Sequence, residues 1–321
     1  MRTVSIVIPM RNEADILERC LHAMEELDYP RDLLEIVIVN DGSTDNTAEL
    51  IEKGSWSFNY QYIETDGVGV SRARDMGFRS ARGEFIAFTD ADCVVEKDWL
   101  MKLFEPFDDD VAAVGGPNLT PEDDTPFARC VGLVLSFLSK AGPRYAYEGG
   151  EVREVHHNPT CNVMYRKFVL EEVGGFNHDL ITTDDEELDY RIRKKGYRIL
   201  YTPHARVWHY RRQNWKRFMT MAYTYGLGRM QSTKIHPDMA RWFHFAPVFL
   251  ILALALLTVL SIVDTVFLAF LIMLTALYVL GTVLVSLIYT RGFTCSKMTF
   301  FMLINLWILL YGAGMIRGVF K

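Results

Sequence analysis

The chain has 321 residues, a formal net charge of −6 and a hydrophobic content of 50%. This length accommodates one large domain or two ordinary ones. The acidic balance excludes the basic surplus that is typical of nucleic-acid-binding chains, so we predict no nucleic-acid partner. The hydrophobic content is high for a globular protein, which directs attention to where the apolar residues lie.

The apolar excess lies at the C-terminus. Beyond Trp242, three apolar runs cover 246–263, 265–289 and 298–316. A membrane-spanning helix needs roughly 20 apolar residues, so each run is about long enough to cross a bilayer. The sequence therefore predicts a transmembrane domain of three helices over 242–321. The alternative is an unusually apolar soluble helical domain.

Basic residues concentrate before the first run, at Arg206, Arg211, Arg212, Lys216, Arg217, Arg229, Lys234 and Arg241. The turn after that run offers only Asp264. Because Lys and Arg are retained on the cytosolic side, residues 1–241 are predicted to face the cytosol. Segment 211–241 is then a basic juxtamembrane segment suited to anionic headgroups. Arg317 and Lys321 would lie outside, a mismatch that a re-entrant third segment would remove.

Before the membrane region, short apolar strands alternate with amphipathic helices. The predicted strands cover 4–9, 35–41, 60–64 and 85–89, and the helices begin near Glu13, Thr44 and Val70. Alternating strand and helix units build a mostly parallel sheet with helices on both faces. We therefore predict an α/β domain of Rossmann-like architecture over 1–210.

Acidic residues follow these strands at their carboxyl ends, where ligands bind in open α/β sheets. Asp90 and Asp92 come after the buried run of the fourth strand, and strand alternation would point both side chains to one side. Two carboxylates arranged in this way suit Mg2+ or Mn2+ carrying a diphosphate. Solvated turn residues are the alternative for an isolated Asp-x-Asp. The sequence has neither a GxGxxG nor a GxxxxGK[ST] loop, which disfavours nicotinamide-dependent and ATP-hydrolysing enzymes.

Five short motifs follow one another along the chain: Ser5-Ile-Val-Ile-Pro-Met-Arg-Asn-Glu13, Ile38-Val-Asn-Asp-Gly-Ser-Thr-Asp45, Ser71-Arg-Ala-Arg-Asp-Met-Gly77, Phe88-Thr-Asp-Ala-Asp92 and Thr183-Asp-Asp-Glu-Glu-Leu188. Their content and order resemble glycosyltransferase family 2, the inverting enzymes of GT-A fold. Each motif alone is weak, but the series covers about residues 4–210 in the order of the family. The resemblance implies that 1–210 is a GT-A catalytic domain.

The resemblance also implies a donor site. By position, the residues that bind the nucleotide-sugar are Pro9, Glu13, Asp41, Arg74, Asp90 and Ala91. Asp90 and Asp92 would hold Mg2+ or Mn2+, and His209 is a candidate for a further metal ligand. An interfacial histidine with satisfied hydrogen bonds is the alternative for His209. Asp75 stands where the family motif usually has Asn, which leaves that local contact open.

On the acceptor side, the resemblance assigns the catalytic base to Asp185. The alternative is that these acidic residues only stabilise the N-terminus of a helix, as acids at that position do. Asp184, Asn162 and Gln213 are the predicted acceptor contacts. Gln213 also opens a segment comparable with the Gln-x-x-Arg-Trp motif of processive polysaccharide synthases. The spacing differs and the tryptophan is missing, so extrusion of a polymer is disfavoured.

Three further features accompany these motifs. Segment 126–141 is apolar and is predicted as either a core helix or a helix at the membrane interface. Segment 142–159 is predicted as a mobile acceptor loop; its adjacent residues His156 and His157 point apart on an extended chain and form no metal pair. The cysteines are predicted to be reduced thiols, since none has metal-binding spacing: Cys20, Cys93, Cys130, Cys161 and Cys295.

Together these features predict a membrane-anchored, metal-dependent, inverting glycosyltransferase. Its donor would be linked to UDP or GDP, and its acceptor would be a hydroxyl of a lipid-linked saccharide at the cytosolic face of the membrane. Transfer to a polyprenyl phosphate is the first alternative, although an anionic phosphate needs no general base. A non-catalytic membrane scaffold that binds a protein partner is the second alternative.

Overall fold

The structure is a computed structural model that describes residues 2–139 and 150–321. The chain divides into two units, the first formed by Met1–Pro121 with Ser139–Tyr210 and the second by Glu122–Leu138 with Arg211–Lys321. The first unit ends where the predicted catalytic domain ends, but the apolar segment after Pro121 lies in the second unit. Of the predicted acceptor loop, 142–149 lie outside the described residues.

The strands are β1 (Val4–Met10), β2 (Leu34–Asp41), β3 (Tyr60–Thr65), β4 (Phe85–Phe88), β5 (Cys93–Val95), β6 (Val111–Gly115), β7 (Asn118–Leu119), β8 (Arg153–Glu154), β9 (Val163–Arg166), β10 (Arg198–Tyr201) and β11 (Val207–His209). The helices are α1 (Ala14–Glu25), α2 (Thr47–Lys53), α3 (Val70–Ser80), α4 (Trp99–Phe104), α5 (Pro126–Ser139), α6 (Lys167–Glu172), α7 (Asp184–Lys194), α8 (Trp215–Ile235), α9 (Ala246–Leu260), α10 (Thr265–Tyr289) and α11 (Lys297–Val319).

The larger sheet of the first unit has the strand order β3-β2-β1-β4-β9-β6-β10-β8. Strands β3, β2, β1 and β4 are parallel neighbours, and so are β6 and β10. Strand β9 runs antiparallel between β4 and β6, and β8 is antiparallel to β10. A smaller sheet has the order β5-β11-β7. The predicted α/β fold with a mostly parallel sheet is confirmed.

Both faces of the larger sheet are buried because successive strand residues point to opposite sides. Ile6 and Ile8 belong to a core that includes residues of α1 and α4, whereas Val7 belongs to a core that includes residues of α3 and α7. Gly77 lets α3 approach β1, since a Cβ at this position would lie 2.4 Å from Cγ1 of Val7. Helices therefore cover both faces, as the alternating sequence pattern predicts.

Strand β1 continues through Pro9, which the sequence pattern had placed at its end. Pro9 pairs in register with Val39 of β2. The carbonyl of Val7 accepts a hydrogen bond from the Thr89 N–H (3.3 Å). The backbone hydrogen-bonding groups of alternate residues of β1 therefore face β4, and the pairing between these two strands ends at Val7. The missing N–H of Pro9 therefore costs no bond of the sheet, and the proline is tolerated.

The second unit contains a core between α5, α8 and α11. Its buried members include Cys130 and Val134 of α5, Phe218 of α8, and Phe300 and Leu303 of α11. Helix α5, the apolar segment, is therefore packed in the core of this unit, and a position at the membrane interface stays a prediction. Helices α8 and α11 come close because glycines line their contact: a Cβ on Gly226 would lie 1.9 Å from the Tyr311 carbonyl oxygen, and one on Gly314 would lie 2.1 Å from that of Tyr223.

Three helical segments are long and apolar enough to cross a membrane, namely Trp242–Leu260, Thr265–Tyr289 and Lys297–Val319. The first ends three residues before the predicted apolar run does, and Asp264 caps the next helix by accepting the Val266 N–H (2.9 Å). The third is a continuous helix of 23 residues, so the structure has no counterpart of the re-entrant break that was considered.

A disulfide joins Cys130 of α5 to Cys295, just before α11, with the two Cα atoms 4.9 Å apart. The prediction of five reduced thiols is therefore wrong for this pair. The two cysteines are 165 residues apart, so their spacing in the sequence gives no sign of the bond. Cys20, Cys93 and Cys161 are buried and form no disulfide in the described part of the chain.

We expect reduction of the Cys130–Cys295 bond to destabilise the protein by about 2–5 kcal/mol, because the unfolded chain regains the freedom that the cross-link removes. Thermal unfolding in detergent, with and without reductant, measures the change. The double variant C130S/C295S is the control, since its melting temperature should not respond to reductant. Alkylation in denaturant should label three cysteines without reductant and five with it; five in both cases would contradict the bond.

Candidate active site

The loops that follow β1 and β2 are tied together at the carboxyl edge of the sheet. Asn12, in the left-handed backbone region, donates its N–H to the Ser43 hydroxyl (2.9 Å) and accepts the Thr44 N–H (2.7 Å). The Glu13 N–H donates to the Thr47 hydroxyl (3.3 Å). Glu13, a predicted donor ligand, is therefore half-buried at the start of α1 beside the second loop.

Asp41 closes β2 and holds the loop after β3. Its carboxylate accepts hydrogen bonds from the Thr65 hydroxyl (2.7 Å) and from the N–H groups of Val68 (2.6 Å) and Gly69 (3.0 Å). Only 5% of the residue is exposed. The structure therefore shows Asp41 shaping the edge of the site, and a direct contact with the nucleoside stays a prediction.

Asp90 and Asp92 lie in a turn after β4 and not on the strand itself. The Cys93 N–H donates to the Asp90 carbonyl (3.0 Å), which closes the turn. Strand alternation is therefore not the reason that the two carboxylates are neighbours. Ala91 between them is 2% exposed and belongs to the hydrophobic core, and its contact with the donor stays a prediction.

His209 is brought to this turn by the smaller sheet, in which it pairs in register with Cys93. Its Nε2 lies 3.3 Å from Oδ1 of Asp92. Burial raises the pKa of Asp90 to about 6, opposed by Arg74, while the charge of Asp92 adds to the rise. Two carboxylates that repel one another beside an imidazole form a donor set that fits Mg2+ or Mn2+.

Two buried cysteine thiols adjoin the same turn. Sγ of Cys93, Sγ of Cys161 and a ring nitrogen of His209 lie within 4.8 Å of one another. The spacing of these residues in the sequence does not indicate that they form a cluster. Burial raises the pKa of the Cys93 thiol well above its usual value, and a hydrogen bond with Cys161 adds to the rise. The ionised donors at this place are therefore the carboxylates.

Arg74 of α3 links the two acidic motifs. Its Nη1 donates to Oδ2 of Asp184 (2.9 Å), and its Nη2 lies 3.4 Å from Oδ1 of Asp90. Burial acts to lower the pKa of Arg74, but the carboxylates of Asp184, Asp90 and Asp185 outweigh it and raise the pKa above its usual value. The guanidinium is therefore charged and fixed between the turn after β4 and the start of α7.

Asp184 is correspondingly not the open acceptor contact that was predicted. The residue is 3% exposed and its carboxylate is engaged by Arg74. Burial raises the pKa of Asp184, and the charge of Arg74 opposes the rise. The sequence identified an acid at the right position, but the fold uses it to hold the arginine.

Asp185, the predicted base, is the next residue of α7. Its Oδ1 accepts the Glu186 N–H (2.8 Å), and its Oδ2 lies 3.6 Å from Nε2 of His157. The side chain is 14% exposed, in contrast to its neighbour Asp184. Thr183 before it adopts a left-handed backbone conformation that turns the chain into the helix. Asp185 is therefore the carboxylate of the pair that a substrate can reach.

Behind Asp185 stands a group of buried polar side chains that the sequence analysis did not assign. His157 Nδ1 lies 2.9 Å from Oδ2 of Asp189, and the Tyr165 hydroxyl donates to Oδ1 of Asp189 (2.7 Å). The Asn158 N–H also donates to Oδ2 (2.9 Å). His157 was considered only as part of a metal pair, and no local signal in the sequence connects it with α7.

Asn162 is a structural residue and not the predicted acceptor contact. It is fully buried: its Nδ2 donates to the carbonyls of Pro117 and Ala205 (both 2.8 Å), and its Oδ1 accepts the Trp99 indole N–H (2.8 Å). Its amide therefore joins three segments of the first unit. Gln213, the last predicted acceptor contact, is exposed in the second unit just before α8, and its role stays a prediction.

Asp75, the departure from the family motif, contacts residues of α3 and of the segment before α7. Its carboxylate pairs with Arg79 (2.6 Å to Nε), accepts the Phe176 N–H (3.1 Å) and lies 3.4 Å from Nε2 of His178. The acid therefore secures the segment before α7 against α3. This accounts for an acidic residue where the family pattern has an amide.

These features define a GT-A-like unit with a carboxylate turn after the fourth strand and an acidic helix start facing the same arginine. The sequence profile of Glycosyl transferase family 2 matches residues 5–174, more than half of the chain. The chain belongs to this family, which confirms the resemblance of its motifs.

Individual relatives agree with this assignment. The probable glycosyltransferase YdaM of Bacillus subtilis is 29% identical over 226 residues, covering 66% of this chain and 52% of the relative. The poly-beta-1,6-N-acetyl-D-glucosamine synthase of Staphylococcus aureus is 26% identical over 216 residues, covering 64% and 49%. The chain thus spans about half the length of these two relatives. Among solved structures, the mannosyltransferase PcManGT from Pyrobaculum calidifontis, in complex with GDP-Man and Mn2+, covers 99% of this chain and 87% of its own, at 22% identity and a TM-score of 0.67.

We expect Asn162→Ala to destabilise the protein by about 2–5 kcal/mol, because it leaves a buried indole N–H and two buried carbonyls without their partner. Denaturant or thermal unfolding measures the loss. Asn46→Ala is the matched control, since Asn46 is exposed and makes no side-chain cap to α2. Equal stability of the two variants would restore an acceptor role for Asn162.

Proposed function

We propose that this protein is a membrane-anchored, metal-dependent, inverting glycosyltransferase. It transfers a sugar from a UDP- or GDP-linked donor to a hydroxyl of a lipid-linked saccharide at the cytosolic face of the membrane. The observation that carries the proposal is the position of Arg74, which contacts Asp90 on one side and Asp184 on the other. The Arg74 guanidinium thereby joins the turn that suits a diphosphate to the helix start that contains Asp185.

On the donor side, the chemistry requires charge stabilisation, because the nucleoside diphosphate leaves the anomeric carbon as an anion. Arg74 supplies a fixed positive charge beside Asp90. Asp90, Asp92 and His209 form the oxygen and nitrogen donor set for a divalent cation. When bound, such a cation acts as a Lewis acid toward the phosphoryl oxygens. The similar fold of the Pyrobaculum calidifontis mannosyltransferase with GDP-Man and Mn2+ supports this arrangement.

On the acceptor side, Asp185 takes the proton of the acceptor hydroxyl as its oxygen attacks the anomeric carbon. Attack opposite the leaving diphosphate inverts the configuration at that carbon. Asp185 suits the role because it is the more exposed carboxylate of the pair at the helix start, while Asp184 is neutralised by Arg74. General-base catalysis of this kind contributes about 10²–10⁴-fold to a rate.

The apolar helices support a lipid-linked acceptor. Three segments of the second unit are long and apolar enough to cross a membrane, and an enzyme anchored in this way meets acceptors confined to the bilayer. The basic residues before Trp242 favour a cytosolic catalytic unit, where nucleotide-sugars are available. Transfer to a polyprenyl phosphate is the second candidate function. It differs from the first because a phosphate acceptor needs no general base.

We expect UDP or GDP with Mn2+ to raise the melting temperature of the protein, since a ligand that binds the folded state stabilises it by about 2.7 kcal/mol at 100 times its dissociation constant. Asp92→Asn should abolish most of this shift by removing an ionised donor. Asp109→Asn, at an exposed carboxylate in the loop before β6, is the control and should keep the shift. No shift in the unmodified protein would favour a non-catalytic scaffold.

We expect Asp185→Asn to lower kcat for a hydroxyl acceptor by about 10²–10⁴-fold while leaving nucleoside diphosphate binding unchanged, because an amide cannot take a proton. Steady-state transfer assays with saccharide and polyprenyl-phosphate acceptors measure the effect. Glu186→Gln, one residue along α7, is the control and should keep its activity. Full turnover of Asp185→Asn on polyprenyl phosphate would instead identify the second candidate function.

A further inference from the structure

The buried polar group behind Asp185 forms a continuous series from β9 to the mouth of the site. Tyr165 donates to Asp189 (2.7 Å), Asp189 faces Nδ1 of His157 (2.9 Å), and Nε2 of His157 faces Oδ2 of Asp185 (3.6 Å). Asp189 is 0% exposed and His157 is 4% exposed. The series therefore leads from the core of the first unit to the proposed base.

The partners of Asp189 specify the orientation and tautomer of the imidazole. Burial raises the pKa of Asp189, opposed by hydrogen bonds from His157, Asn158 and Tyr165. Tyr165 is a donor, because burial and the charge of Asp189 raise its pKa well above the usual value. With donors on both oxygens, Asp189 serves as an ionised acceptor and His157 carries its proton on Nδ1. The unprotonated Nε2 is then directed at Asp185.

We propose that His157 is a positioning and proton-holding residue for Asp185, fixed in its tautomer by Asp189. The inference rests on the proposed function, since it deepens the role given to Asp185. The distance between Nε2 of His157 and Oδ2 of Asp185, 3.6 Å, is longer than that of a hydrogen bond. Such contacts shorten when substrate is bound, so the unliganded geometry is compatible with the role.

The proposed transfer step accounts for every bond, electron pair and proton. The acceptor oxygen forms its bond to the anomeric carbon, the bond from that carbon to the diphosphate oxygen breaks, and the leaving diphosphate keeps the electron pair. The acceptor proton passes to the Asp185 carboxylate and from there to Nε2 of His157. The resulting imidazolium is stabilised by the ionised Asp189 and releases its proton to solvent after the products leave. Asp185 is thereby returned to the form that accepts a proton.

The charged groups around His157 favour this sequence. Asp185 and Asp189 approach it from α7, Tyr165 donates to Asp189 from β9, and Arg74 of α3 lies close enough to Asp185 to be affected by its charge. Asp189 accepts from Nδ1 of His157 and Asp185 faces its Nε2, whereas Arg74 is held by Asp184 and Asp90. A proton on His157 is therefore stabilised away from the leaving group.

The tautomer can be measured without any substrate. We expect two-dimensional ¹⁵N spectra of histidine-labelled protein in detergent to show neutral His157 with its proton on Nδ1, the signal being identified by its loss in His157→Asn. Asp189→Asn should shift the proton to Nε2, because the amide can donate to Nδ1. A proton on Nε2 in the neutral imidazole of the unmodified protein would overturn the proposal.

Kinetics test the proton-holding role. The probe is hydrolysis of GDP-mannose, UDP-glucose or UDP-N-acetylglucosamine with MnCl2, with water as acceptor, followed from pH 5 to 9. His157→Asn keeps a donor toward Asp189 but removes Nε2, and we expect kcat to fall about 10-fold to 100-fold with unchanged KM for the donor. The pH profile of kcat should also change, because the variant lacks the nitrogen that takes the proton from Asp185.

His157→Gln is the second variant: it places an amide donor near Asp185 but cannot carry the proton, so it should retain the altered profile of His157→Asn. A purely structural role predicts lower melting temperatures with a normal profile in both variants, and that result would refute the inference. If Asp185→Asn is itself fully active in the same assay, the proposed function fails instead. The spectra then still report whether Asp189 sets the tautomer.

Discussion

The contact of Arg74 with Asp184 and Asp90 is the interaction on which the site depends. A guanidinium buried in this way requires ionised partners, because the cost of an unpaired buried charge is several kcal/mol. One partner lies in the turn after β4 and the other opens α7, so the arginine fixes two segments that are remote in sequence. Asp185, the more exposed neighbour of Asp184, lies at the same helix start.

Much of the fold follows from local pattern. The apolar strands, the helix spacing and the acids at strand ends are short-range signals, and the structure places the four predicted strands within one residue of their predicted limits. The series of family motifs adds the order in which these elements are used. The sequence therefore identifies Asp90, Asp92, Arg74 and Asp185 as candidates, although a turn and not strand alternation brings the two aspartates together.

The remainder depends on contacts between distant parts of the chain. Asn162 and Asp184 have the composition of acceptor contacts, but their partners come from other segments and bury them. Asp41 is occupied by the loop after β3, which the sequence of β2 does not reveal. His157 meets Asp189 only because a loop crosses the face of α7. Burial and pairing, and not residue type, distinguish a ligand from a structural group.

The disulfide has a consequence for the cell in which the protein works. Cys295 lies in the turn between the second and third apolar helices. Mesophilic interiors keep thiols reduced, whereas the intracellular proteins of hyperthermophiles are rich in such bonds. If the turn that carries Cys295 faces the cytosol, an intact bridge requires a cytosol in which disulfides persist.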